Sequence, residues 1–359
     1  MFYSLLRPLA FSLDPEQAHH FAIRALRFLQ TVPASLAPPS DARLSQHVWG
    51  LHFPNPVGLA AGYDKNAAAP LVWSSLGFGF AELGTITAQA QPGNPKPRIF
   101  RLEHDEALIN RLGFNNDGAV AVAQRLSSLL PPTHSHPIPL GFNIGKSKVT
   151  PLDEAENDYL FSLEQLFPFA DYLVVNVSSP NTPELRKLQE SERLGRLLTT
   201  LHTRNRQLST QVRIPPKPLL VKIAPDLTDD DIREVARVAL AVGVDGLIAT
   251  NTTITRPSLR TQISEEGGLS GKPLTARACE VLRVLYRAVE GKLPLIGVGG
   301  IFSAEDAYTR IRAGASLIQI YTSLIYRGPL VPRTIVHGLI ARLSQDRLSH
   351  IRDAIGKDV

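Results

Sequence analysis

The segment Val174-Val175-Asn176-Val177-Ser178-Ser179-Pro180-Asn181-Thr182 places amides and hydroxyls directly behind a β-branched run. Such a run reads as a buried strand that stops in a loop of hydrogen-bonding side chains. In α/β proteins ligands sit just beyond the carboxyl ends of the strands. The amides suit a planar polar ring, and a hydroxyl beside them could move a proton. No His, Cys or acid lies in the segment, so a base within it is Ser179 or its neighbour Ser178.

Other reactive groups fall at the ends of similar runs. Ala60-Ala61-Gly62-Tyr63-Asp64-Lys65 closes one with small residues that admit a flat ligand, then a cation suited to a carboxylate or phosphate. Lys222 lies inside Val221-Lys222-Ile223, where an unpaired ammonium is costly. It could form a Schiff base, or stay charged against a ligand that gains negative charge. Thr250-Asn251-Thr252 adds further amide and hydroxyl groups. Gly267-Gly268-Leu269-Ser270-Gly271, Gly297-Val298-Gly299-Gly300 and Tyr321-Thr322 offer backbone N–H groups near the last two strands. That is the phosphate-binding corner of (β/α)8 barrels.

Two look-alikes fail. Gly141-Phe142-Asn143-Ile144-Gly145-Lys146-Ser147 has three residues between its glycines where a P-loop needs four. Gly297–Gly300 lacks the third glycine of a dinucleotide fingerprint. A flavin mononucleotide fits better than a nucleoside triphosphate or a nicotinamide.

The elements that must position these groups alternate from about Asn55 onward. Apolar runs at Pro56–Ala61, Phe78–Thr87, Ile138–Ile144, Tyr172–Val177, Leu219–Ile223, Gly246–Thr250, Leu295–Val298 and Leu317–Tyr321 predict strands. Helical spacing lies between most of them, as in Asp229–Val242, Thr275–Val289 and Ser303–Ala313. Eight such units predict a (β/α)8 TIM barrel. Residues 91–112 read as an extended excursion above the second strand, through Pro92, Pro95, Pro97 and Arg98–Leu102. Pro131–Pro137 reads as a linker, and its His134 and His136 lack the third ligand that a metal needs.

Residues 1–40 predict a separate helical module, leaving 41–359 as the barrel domain. Phe2–Phe11 gives a short apolar helix; Asp14-Pro15-Glu16-Gln17 then supplies an N-cap and a proline at the first helical position. Ala18, Phe21, Ala22, Ala25, Leu26 and Leu29 share one side of the next helix, and Thr31–Pro39 reads as a linker. Such a pair either caps the barrel or lies in a membrane interface.

Composition limits the alternatives. A chain of 359 residues with 43% hydrophobic and 20% charged residues can bury a large core. No apolar run approaches the roughly 18 residues that span a bilayer, and no signal-peptide pattern opens the chain. The single Cys279 excludes internal disulfides and sits in a helical pattern, as core packing. The net charge of +5 is spread out, with no aromatic-basic motif, which argues against nucleic acid and for small anions or an anionic membrane.

Taken together, these motifs resemble those of the dihydroorotate dehydrogenases, specifically the membrane-associated, quinone-dependent class. The likeness spans nearly the whole chain. It rests on Asp14–His19, Leu59–Lys65, Asn110-Arg111-Leu112-Gly113-Phe114-Asn115-Asn116, Asn143–Lys146, Asn176–Thr182, Asn251–Thr253, Gly267–Leu274 and Tyr321-Thr322. Tyr63 departs from the family, where Leu is common.

The resemblance implies that dihydroorotate loses a proton from C5 and a hydride from C6 to FMN. Ser179 takes the position of the base, aided by Thr182 or water under Phe114 as a lid. Lys65 would hold the substrate carboxylate, and Asn110, Asn176, Asn181 and Asn251 the pyrimidine ring. Thr252, with Arg111, Leu112 and Gly113, would complete that pocket. The cofactor would lie along Ala61, Gly62, Tyr63, Asp64 and Lys65, with Thr85, Asn143, Asn176 and Thr250 at the isoalloxazine or ribityl portion. Lys222 would face the charge of the reduced flavin, and Gly271, Gly300, Tyr321 and Thr322 the phosphate. His19, Arg101 and Tyr321 match positions near the quinone head.

Soluble relatives carry a Cys where this chain has Ser179 and lack the helix pair, so the resemblance points to quinone as oxidant. It further implies a monomer bound peripherally to the cytoplasmic face of a bacterial inner membrane. Two readings from other classes compete. A flavin-free lyase or aldolase would use Lys222 as a Schiff base; an inert barrel would serve only as a membrane-binding module.

Overall fold

In the computed structural model, which describes residues 2–30, 41–130 and 136–359, eight parallel strands close into a barrel. They are Val57–Leu59, Phe80–Ile86, Leu140–Ile144, Tyr172–Asn176, Leu219–Ile223, Gly246–Ala249, Leu295–Val298 and Leu317–Ile320. Each lies inside one of the eight apolar runs. Neighbours in the barrel are neighbours in sequence, and the last strand pairs with the first through Ile318↔Val57 and Ile320↔Leu59. These strands are buried on both faces, which is why they read as continuous hydrophobic runs. Helices Asp229–Val242 and Thr275–Val289 match the predicted bounds, and Ala304–Arg312 falls within its own.

The N-terminal end of the barrel is plugged by a hairpin that the sequence reading did not identify, Gln46–Val48 paired with Leu51–Phe53. Trp49 and Gly50, both at positive φ, make its two-residue turn. Phe53, Phe80 and Tyr172 fill the barrel interior above it. Gly141 leaves the room for that filling, since a Cβ there would meet the Tyr172 ring at 2.0 Å.

At the other end, the excursion is a three-stranded antiparallel sheet rather than a single extended run. Ile99–Leu102 pairs with Ala107–Asn110, which pairs with Gly268–Gly271. The Gly267–Gly271 cluster, read from sequence as a source of backbone N–H groups, is therefore mostly a strand. Its glycines serve close approach: a Cβ on Gly267, at φ +125°, would lie 2.4 Å from the Asn110 carbonyl.

Two helices precede the barrel, α1 (Phe2–Ser12) and α2 (Pro15–Leu29). Asp14 caps α2 as expected, accepting from the N–H groups of Glu16 and Gln17 at 3.0 Å. Buried Glu16 pairs with Arg98 of the excursion at 2.6 Å. Arg101 donates to the carbonyls of Phe11 at 2.8 Å and Leu13 at 3.0 Å, closing the end of α1. The helices thus dock on the three-stranded sheet, while Leu5, Leu9, Phe21 and Phe28 stay exposed. The expected linker at 31–39 and His134 lie outside the described residues.

Candidate active site

A cavity with about 1010 Å³ of empty space opens at the carboxyl ends of the barrel strands. Among the described residues, Lys65 and Lys222 are the only charged side chains lining it, and no carboxylate does. Such a site suits an anionic, largely planar ligand.

Asn176 ends the fourth strand, and its amide donates to Thr85 Oγ1 at 3.1 Å and Asn143 Oδ1 at 3.0 Å. Its own Oδ1 accepts from Ser178 Oγ at 3.1 Å and from the Asn251 amide at 3.4 Å. Asn251 also donates to Ser178 Oγ at 3.0 Å. Ser178 is wholly buried in this network and does not line the cavity. Ser179 does line it, and its Oγ accepts from the Asn181 N–H at 3.3 Å. Asn181 reaches back to Asn110, donating to its carbonyl at 3.1 Å and its side-chain oxygen at 3.3 Å. One hydroxyl is therefore free to face a ligand while its neighbour braces the amides.

Beneath these amides lies a charged group that the sequence reading missed. Glu82, in the middle of the second strand, is fully buried. It accepts from Lys222 Nζ at 3.2 Å, Asn143 at 2.7 Å and Gln319 at 2.6 Å. A signal was present: Glu82 and Gln319 each interrupt an apolar strand run. Gln319 and Ser323, also unmarked by sequence, line the cavity with Oε1 and Oγ buried and, among the described residues, unpartnered. Ser270 joins them, accepting from Thr322 Oγ1 at 2.9 Å.

Most predicted positions meet at this cavity. Ala61, Gly62, Lys65, Thr85, Asn110, Leu112, Gly113, Phe114, Asn176, Ser179, Asn181, Lys222, Thr250, Asn251, Thr252, Gly271, Gly300, Tyr321 and Thr322 all line it. Phe114, at φ 53°, packs over the space left by Gly145, where a Cβ would meet its ring at 2.9 Å. Lys65 is crowded by protein, and desolvation pulls its ammonium down to about 8.

The others stand back from the cavity. Asn143 lies beneath it, holding Glu82. Asp64 caps a turn, accepting from the N–H groups of Ala68 at 2.8 Å and Ala69 at 2.9 Å, and burial pushes its carboxyl up. Arg111 turns outward, pairing with Glu265 and stacking over Phe100 at 4.8 Å. Thr182 is buried, and its hydroxyl has no hydrogen-bond partner among the described residues. Arg101 holds α1. His19 packs edge to face on Tyr63 at 5.1 Å, and Tyr63 on Tyr321 at 5.7 Å, so an aromatic row links α2 to the cavity. Burial holds the His19 imidazole well below its usual range, with Lys65 and His20 adding to the effect.

With this geometry in view, comparison with known proteins is informative. A family model described as dihydroorotate dehydrogenase matches residues 43–343. A protein of Acidithiobacillus ferrooxidans named dihydroorotate dehydrogenase (quinone) is 52% identical, covering 98% of this chain and 99% of its own. One of the same name from Gloeobacter violaceus is 51% identical, over 99% of this chain and 98% of its own. The crystal structure of a dihydroorotate dehydrogenase from Eimeria tenella with ferulenol superposes with a TM-score of 0.90 at 45% identity, covering 96% of each chain.

Proposed function

Since the chain belongs to the quinone-dependent dihydroorotate dehydrogenases, oxidoreductases of pyrimidine biosynthesis, we propose that it oxidises (S)-dihydroorotate to orotate through FMN, with Ser179 as base and a membrane quinone as final acceptor. The observation that carries this reading is the cavity itself: among the described residues lining it are two lysines and no carboxylate, with the Ser179 hydroxyl set among ring-binding amides. The FMN reading also fits the unpartnered Gln319 Oε1 and Ser323 Oγ on the cavity wall. Thr85, Thr250 and Lys222 would hold its ring system, with Asn143 bracing them from below, while Gly271, Gly300 and Thr322 would hold the phosphate. When bound, FMN supplies the two-electron acceptor for the hydride from substrate C6.

The remaining chemistry belongs to the chain. Lys65 pairs with the substrate carboxylate, and a bound anion favours the ammonium form that desolvation disfavours. Asn110, Asn176, Asn181 and Asn251 present donors and acceptors to the ring edges, with Thr252 beside them. Ser179 Oγ takes the C5 proton. A serine hydroxyl is a weak base, so as its Oγ gains the C5 proton it gives up its own hydroxyl proton, along a path to solvent through Thr182 or water. Phe114 excludes water above it. The lyase reading weakens, because Lys222 is already engaged as the ion-pair partner of Glu82.

Quinone reduction is assigned to the aromatic row His19–Tyr63–Tyr321, with Arg101 fixing α1 beside it. We assign residues 1–40 as the membrane-association module and 41–359 as the catalytic domain of a monomer. No helix of the described residues is long and apolar enough to cross a membrane. The exposed leucines and phenylalanines of α1 and α2 instead support peripheral attachment to a membrane, which we assign to the cytoplasmic face of a bacterial inner membrane.

The test is the visible spectrum of the purified protein under anaerobic conditions, before and after L-dihydroorotate. A flavin band that bleaches is expected. A band that stays would remove the substrate assignment, and a protein colourless even after FMN is supplied would remove the cofactor.

A further inference from the structure

Arg186 sits on a short 3-10 turn, Leu185–Gln189, in the loop that follows the fourth strand. Its guanidinium donates in three directions. Nε reaches the Ser178 carbonyl at 3.1 Å, Nη2 the Thr252 carbonyl at 3.1 Å, and Nη1 the Asp226 carboxylate at 2.8 Å. Asp226 lies beyond the fifth strand and also accepts from the Thr253 hydroxyl and from the Ile254 N–H at 3.2 Å. Three loops that follow three consecutive strands are thereby tied at one point. One of them carries Ser179, and another carries Asn251 and Thr252.

The pair does not line the cavity, and it is not needed to fill the core, since both side chains keep some exposure. At 23% and 14% side-chain exposure the pair is partly buried, and what distinguishes it is its geometry. A planar fork spreads its five donors over three nitrogens and so spans two carbonyls and a carboxylate at fixed angles, whereas the three donors of a lysine radiate from one nitrogen. We propose that Arg186, held by Asp226, is a positioning residue that sets the register of the Ser179 loop against the amide loop at Asn251-Thr252. The inference rests on the reading of Ser179 as the base. The substrate ring is located by the amides and the proton acceptor by the serine, so their relative placement decides the rate of proton removal. A displacement of about 1 Å in such a pair can cost about 100-fold.

The experiment uses the flavin-loaded protein and follows anaerobic bleaching by L-dihydroorotate and by its C5-deuterated form. Arg186→Lys keeps the charge and the link to Asp226 but loses the fork. It is expected to keep its FMN, bind orotate within about fivefold of the parent, and bleach about 100-fold more slowly. The isotope effect at C5 should rise, because proton removal becomes the slow step. Asp226→Asn should move both quantities in the same direction by less, and it carries the test if Arg186→Lys does not fold.

Bleaching at the parent rate in the variants would overturn the proposal. So would slower bleaching with an unchanged isotope effect, since a merely structural loss leaves that ratio alone. If the parent itself fails to bleach, the dihydroorotate reading falls and the clamp falls with it. If the parent bleaches and both variants match it, the clamp alone falls.

Discussion

Lys65 and Lys222 are the two cations of the cavity, and their surroundings differ in kind. Desolvation brings Lys65 down to about 8, so the free protein loses this charge as pH rises past that value. A bound carboxylate favours the ammonium, hence binding above pH about 8 takes up a proton. Orotate affinity should be level below pH about 8 and fall about tenfold per pH unit above it. Calorimetric titration in buffers of different ionisation enthalpy would show the proton uptake; a flat profile to pH 9.5, well above about 8, would exclude Lys65 from carboxylate binding.

Lys222 has a fixed partner instead. Removing it as Lys222→Met strands the Glu82 charge, which should destabilise the fold by about 3–5 kcal/mol in urea unfolding. Adding Glu82→Gln to that variant should restore part of the loss. The serine loop, the lysines and the amides were legible in the sequence because polar groups cluster where apolar runs end. Glu82 and Gln319 were legible only as polar breaks in apolar runs, since a single polar residue inside a strand gives no sign of which other strand it faces. The outward turn of Arg111 was hidden for a related reason: its partner Glu265 is far away in sequence.

At the scale of elements, α1 and α2 combine a polar docking face with an apolar outer one. Glu16, Arg98 and Arg101 fix the helices to the three-stranded sheet, while Leu5 and Leu9 are 79% and 69% exposed. Burying a leucine contributes about 1.5–3 kcal/mol. Leu5→Glu with Leu9→Glu should therefore weaken binding to anionic lipid vesicles by at least about tenfold in a sedimentation assay. Bleaching by dihydroorotate should be unaffected. Vesicle binding equal to the parent would place the membrane contact elsewhere. The cap at Asp14 announced where α2 begins, because capping is local chemistry. The strand Gly268–Gly271 was not announced, because its glycines reflect the nearness of Ala107–Asn110, a pairing that no local pattern encodes.

For the whole molecule, the barrel was legible from eight apolar runs because strands buried on both faces need apolar residues on both. The hairpin plug was not legible, since short half-exposed strands leave a weak pattern; of the sheet over the carboxyl end only the extended run at Arg98–Leu102 was. Together these parts divide the labour of the proposed reaction. The barrel carries the ring-binding amides, the fourth loop carries the base, and the sheet seats the helices that would meet the quinone. The central claim is that Ser179 moves the proton at this site. It is tested most directly by rapid-mixing anaerobic bleaching of Ser179→Ala with L-dihydroorotate at neutral pH, beside orotate binding to the same protein. The account predicts FMN and orotate bound as in the parent, with bleaching slower by about 10²–10⁴-fold. Bleaching at the parent rate would contradict it.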